Sequence, residues 1–245
     1  MVVTAKETTS ALRRVVYPVL KGSGFRDWTS RRAWRRQDGR IDHIEFRSFN
    51  SHDAEKYDCT PASVSVWLGV HPEFFSFRSD VKLGAQGKRP AEWEMAIRGE
   101  LAPSVGLAQA NPLRIWIIRS ENDARDAAED IREQLRNYGL DWLGAPLKPE
   151  GLLKRLLDDD ELNIERAANG AHLWIDAGAK ESPNRNIRIA ELAAELGDYG
   201  IAAQRFERAR WATNFKTGAK ALWASPKIDA ELLSLSKRYA DRLGK

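Results

Sequence analysis

Cysteine is nearly absent from this chain: Cys59 stands alone among 245 residues, beside two methionines and four histidines. One thiol cannot close an intrachain disulfide, and it cannot build a four-thiolate zinc centre. Long apolar runs are missing too, since nothing approaches the ~18 consecutive apolar residues of a membrane-spanning helix. The opening MVVTAKETTSALRRVVYPVL has no continuous apolar stretch ending at a cleavage-like site, so it does not read as a signal peptide. Glycine-rich nucleotide motifs, a P-loop and the G-x-S-x-G elbow are also lacking. These absences exclude disulfide scaffolds, thiolate zinc modules and membrane spans. They point to the cytoplasm, and no cofactor or metal is expected.

What remains is ordinary globular material, 42% hydrophobic and 30% charged, with nine tryptophans and eight phenylalanines to fill a core. The net charge of +4 hides alternating blocks. Residues 1–50 carry 11 basic against 5 acidic side chains, and residues 121–165 carry 6 against 13. A dedicated nucleic-acid binder is more often basic over a whole domain, whereas alternating blocks also suit parts that attract one another.

Periodicity then orders the chain. Leu12, Val15, Val16 and Val19 recur at helical spacing, and Gly22 and Gly24 offer a stop. Ala33–Gln37 and Arg40–Phe49 flank Asp38-Gly39, a strong hairpin signal. A third strand is SVSVWLGV, with Val64, Val66, Leu68 and Val70 on one face. WEMAIR, with Trp93, Met95 and Ile97 alternating, reads as a fourth, and RIWII at 114–118 as a fifth. The period then lengthens, and Ala124, Ala127, Ala128, Ile131, Leu135 and Tyr138 form one helical stripe that ends at Gly139. PEGLLKRLLDDD reads as a short helix and AHLWIDAG as a further strand.

From about residue 184 two helices are expected, joined at Gly197-Asp198. Ala202, Ala203, Phe206 and Ala209 there resemble the second helix of a tetratricopeptide repeat. One such hairpin is too few for a repeat array. The expectation is therefore an α+β domain over 1–183, its antiparallel sheet of about five strands flanked by an N-terminal helix and a long helix on one face. An all-helical appendage over 184–245 packs on it.

The stretches LKGSGF (20–25), AWRRQDGRIDHIEF (33–46), SVSVWLGV (63–70) and the aspartate-rich helix running into YGLDWLG (138–144) resemble, in order and spacing, a bacterial family known as domain of unknown function 4304. The resemblance spans about residues 12–157. It implies an α+β domain and carries no activity, cofactor or catalytic residue. FRSFNSHDAEKYDCTP departs from the family's usual glutamine and serine pattern.

The densest candidate site is the basic hairpin Arg31, Arg32, Trp34, Arg35, Arg36 and Arg40. With Asp38-Gly39 as the turn, Arg35 faces Asp42, Arg32 faces Glu45 and Trp34 faces His43. Two arginines thereby gain opposite charges across the strand, while Arg31 and Arg36 do not. One reading is nucleic-acid binding through phosphate contacts and a stacking tryptophan. The preferred reading is an edge hairpin laced with ion pairs. Cys59 with His52, His71 and Asp53 or Asp58 forms the one nucleophile-and-base set, although its acidic neighbours oppose thiolate formation. The acidic run Asp158–Glu161 lacks the alternation of a calcium loop, and His172 reads as a core histidine. The favoured function is a non-catalytic module that binds another protein. Nucleic-acid binding is the alternative, and a cysteine-dependent enzyme comes third.

Overall fold

A computed structural model describes residues 3–73, 75, 83–84, 87–104, 114–144, 149–158, 182–213 and 220–222. They fall in two compact units.

The first unit is built on a five-stranded antiparallel sheet in the order β1 (Asp27–Trp28), β2 (Arg32–Gln37), β3 (Arg40–Ser48), β4 (Val64–Pro72), β7 (Ile97–Leu101). Asp38 (φ 50°) and Gly39 (φ 69°) both take the left-handed conformation of a two-residue hairpin turn. That turn sets the register, so Arg32 lies opposite Glu45, Trp34 opposite His43 and Arg35 opposite Asp42. β4 presents Val64, Val66, Leu68 and Val70 to the core, all buried with Ile44 and Phe46 of β3.

Helices cover this apolar face. α1 (Ala5–Val15) opens with a Thr4/Glu7 capping box, and α2 (Tyr17–Gly22) carries Pro18 in its first turn. The single N-terminal helix expected from periodicity is thus two, divided at Val16. Tyr17 meets Phe46 with ring centroids 5.9 Å apart. The long helix α4 (Glu121–Gln134) starts at Ser120 with a capping box to Asp123 and buries the expected stripe of Ala124, Ala127, Ala128 and Ile131. A π-helical turn, Leu135–Gly139, joins it to α5 (Leu140–Gly144). A Cβ on Gly139 would meet Leu135 Cδ2 at 3.0 Å, tighter than an ordinary contact, with Leu101 of β7 next at 3.4 Å. α3 (Ser51–Lys56), capped by Asn50, follows β3.

Two strand expectations are corrected. The start of WEMAIR belongs to a short 3-10 turn, Glu92–Glu94, because the Glu94 carboxylate accepts the Ala91 N–H and closes it, and β7 begins only at Ile97. Residues 114–118 touch the sheet through a single bridge between Val64 and Trp116. The fifth strand is instead the short β1. Two further short strands, β5 (Leu83–Gly84) and β6 (Gly87–Lys88), pair with each other.

The second unit holds α6 (Pro149–Asp158), α7 (Pro183–Glu195) and α8 (Tyr199–Ala209). α7 and α8 pack together across a turn at Gly197 (φ 80°), where Asp198 caps α8. A two-stranded ribbon, β8 (Trp211–Thr213) with β9 (Lys220–Leu222), stands in a stretch expected to be helical throughout. AHLWIDAG, His172 and the acidic run beyond Asp158 lie outside the described residues. Among the described residues no helix is long and apolar enough to cross a membrane.

Candidate functional site

The hairpin arginines are engaged within the protein. Arg35 Nε donates to Asp42 Oδ2 at 2.8 Å, and its Nη1 donates to the Ser23 carbonyl at 2.9 Å. Arg40 Nε lies 3.1 Å from Asp42 Oδ1, while its Nη2 reaches the Leu143 carbonyl. Asp42 is therefore a fully buried hub between two arginines that reach the ends of α2 and α5. Burial pushes its carboxyl pKa up against the pull of Arg35 and Arg40. Arg32 pairs with Glu45 at 2.9 Å. Arg31 Nη2 donates to the Ala5 carbonyl and Thr9 Oγ1, and Arg36 donates to the Lys88 carbonyl. Trp34 is 2% exposed, and its indole N–H donates to the Pro90 carbonyl at 2.9 Å.

The other face of the sheet is polar and partly roofed. Alternation along the strands puts Trp34, His43, Glu45, Arg47, Ser65, Trp67, Gly69, Arg98 and Glu100 on it. Glu92, from the 3-10 turn, binds Arg47 at 3.2 Å and Arg98 at 3.0 Å. Met95 lies so close over Gly69 that a Cβ there would meet its Cγ at 2.5 Å. His43 is fully buried, and neither ring nitrogen finds a hydrogen-bond partner among the described residues. Burial, helped by Arg32 and Arg47, pushes its pKa down to about 3.

Beside this roof, between the sheet and α3, a cleft of about 300 Å³ remains open, at the small end of ligand pockets. Phe49, Tyr57 and Trp67 form aromatic walls, and Arg47, Asp53, Ser65 and Glu100 supply its polar groups. The Arg47 guanidinium sits 5.3 Å from the Trp67 ring centroid. Ser65 Oγ accepts the Trp67 indole N–H at 3.2 Å. Glu100 is the unusual member. Its side chain is only 9% exposed, it pairs with Arg114 Nη1 at 3.9 Å, and its carboxyl makes no hydrogen bond among the described residues. Burial raises its pKa to about 8, with Arg114 and Arg47 pulling down and Glu92 adding to the rise. Arg114 itself holds a left-handed backbone (φ 57°), which strains a non-glycine residue.

Cys59 lies outside the cleft lining. Its thiol pKa is raised by burial, with Ser63 opposing, so it lacks the depressed pKa of an activated nucleophile. His71 is fully buried on β4 opposite Ile41, and His52 is exposed on α3. No group of three potential metal ligands forms among the described residues.

Arg47, Trp67 and Glu100 escaped the sequence reading as a set. The signal was available in alternation: Glu100 occupies a register position level with Trp67 on a strand whose neighbours Ile97 and Leu101 are core. Reading the strand as WEMAIR placed it too early to expose that pattern. Among known families, the model of a domain of unknown function (DUF4304) matches residues 16–145. No curated protein and no solved structure matches the chain.

Proposed function

The chain belongs to the DUF4304 family, and on that footing we propose that it is a non-catalytic interaction module whose recognition site is the cleft beside Glu100. The observation that carries this reading is an open cavity with aromatic walls, into which Arg47, Ser65 and a Glu100 side chain only 9% exposed bring polar groups. These polar groups line the cleft wall, where an incoming group can meet them. The partner favoured is another protein, one of whose polar side chains or chain ends enters between Trp67 and Tyr57. The economy of cysteine suits a reducing compartment, and we place the protein in the cytoplasm.

Catalysis is disfavoured because the thiol of Cys59 is held up by burial rather than activated. Nucleic acid on Arg31–Arg40 has less to draw on, since those side chains bind Asp42, Glu45, Asp27 and backbone carbonyls. A photo-crosslinker at Tyr57, at the cleft wall, tests the reading. It is expected to trap one polypeptide in the wild-type background and to lose that adduct when Ser48→Trp fills the cleft without changing the melting temperature. An adduct unaffected by Ser48→Trp contradicts it.

A further inference from the structure

Resting on that reading of the cleft, we propose that its occupant is a carboxylate, held by the Arg47 guanidinium on one side and by the Glu100 carboxyl acting as hydrogen-bond donor on the other.

The donors decide the class. Arg47 spends one N–H on Glu92 and lies over Trp67, and its remaining N–H groups have no partner among the described residues. Its side chain is 39% exposed, so those groups are open to an incoming molecule. Ser65 Oγ already accepts from Trp67, which leaves its own proton to give. Glu100 stays neutral at pH 7 in this surrounding and brings an O–H. The groups facing it come from every neighbouring element: Arg114 from the segment after the sheet, Arg47 from β3, Glu92 from the 3-10 turn, Ser65 and Trp67 from β4. Asp53 lines the cleft from α3, where the Asn50 amide donates to its carboxylate. With Glu100 neutral, the charged groups lining the cleft are Arg47 and Asp53, and Asp53 is already bound by Asn50. A carboxylate there accepts from a guanidinium and from a carboxylic acid, and both bonds are strengthened by the charge. A cationic occupant would face Arg47 and would need Glu100 to ionise first.

The carboxylate has two sources, a small free acid or the carboxylate of a polypeptide. Probes are acetate, benzoate, benzylamine, and a short peptide with a free C-terminus beside its C-terminal amide. Each is titrated into the full chain while the Trp67 indole N–H resonance is followed, assigned by Trp67→Phe. The expected result is binding of the carboxylates at pH 6.5 that weakens about tenfold or more at pH 9.5, as Glu100 ionises. Glu100→Gln, which keeps a donor, holds the same affinity at both pH values. Arg47→Gln weakens binding at both. Peptide bound in preference to its amide assigns the polypeptide source, and equal affinity of the small acids assigns the free one; either supports the proposal. Benzylamine bound in place of the carboxylates at pH 6.5 overturns the carboxylate class while leaving the cleft as a recognition site. If no probe moves the Trp67 resonance, the carboxylate proposal falls, and the crosslink from Tyr57 then decides the reading beneath it.

Discussion

At the scale of single residues, two buried titratable groups pull stability in opposite directions with pH. His43 is neutral in the fold with a pKa of about 3, against 6.5 when unfolded. Its contribution is present above pH 6.5 and is lost as pH falls towards 3. Glu100 has the opposite sign: its folded value of about 8 exceeds the unfolded 4.5, so its contribution is full below pH 4.5 and lost as pH rises to 8. Each acts at up to ~1.4 kcal/mol per pH unit inside its window. The two offset each other between pH 4.5 and 6.5. Glu100→Gln is therefore expected to gain stability over wild type steadily from pH 4.5 to 8, by on the order of 1 kcal/mol per unit, in urea unfolding at several pH values. His43→Gln shows the reverse trend, gaining on wild type as pH falls from 6.5. Asp42 tests the buried hub. Asp42→Asn removes the charge between Arg35 and Arg40, and breaking a buried pair from one side costs about 3–5 kcal/mol.

At the scale of elements, the roof over the polar sheet face depends on one glycine. Gly69 has no unusual φ requirement, so its role is clearance beneath Met95. Gly69→Ala is expected to cost about 1–3 kcal/mol through overpacking. Adding Met95→Ala should recover part of that loss in a double-mutant cycle. Elements set by local chemistry were legible in the sequence. Asp38-Gly39 dictated the β2–β3 hairpin and its register, and the Val64–Val70 alternation dictated β4. The misplaced elements are those that distant contacts decide. Residues 114–118 alternate like a strand, yet Trp116 bonds Asp130 on α4 and meets the sheet at one residue. The cleft was illegible for the same reason: α3, β3, β4 and β7 each supply only one or two of its polar groups, so no contiguous stretch announces it.

At the scale of the whole molecule, the charges of the hairpin and of α4 are paired locally. The basic hairpin is answered by Asp27, Asp42 and Glu45, and the acidic α4 by its own Arg125 and Arg132 together with Arg136 of the following turn. Asp130 of that helix accepts the Trp116 indole and the Ser104 N–H. With its arginines so engaged, the hairpin offers few unneutralised cations to phosphate, so replacing Arg31 and Arg36 by Gln is expected to leave the salt dependence of duplex DNA binding, followed by fluorescence anisotropy from 50 mM salt, unchanged. The central claim is that a neutral, donor-bearing carboxyl lines the cleft. It is tested most directly by following the side-chain carboxyl ¹³C resonance of Glu100 in the full chain from pH 3 to 10, with Glu100→Gln identifying the signal. A midpoint near 8 is predicted; a midpoint near the ordinary 4.5 would mean a solvated carboxylate, and would contradict the account.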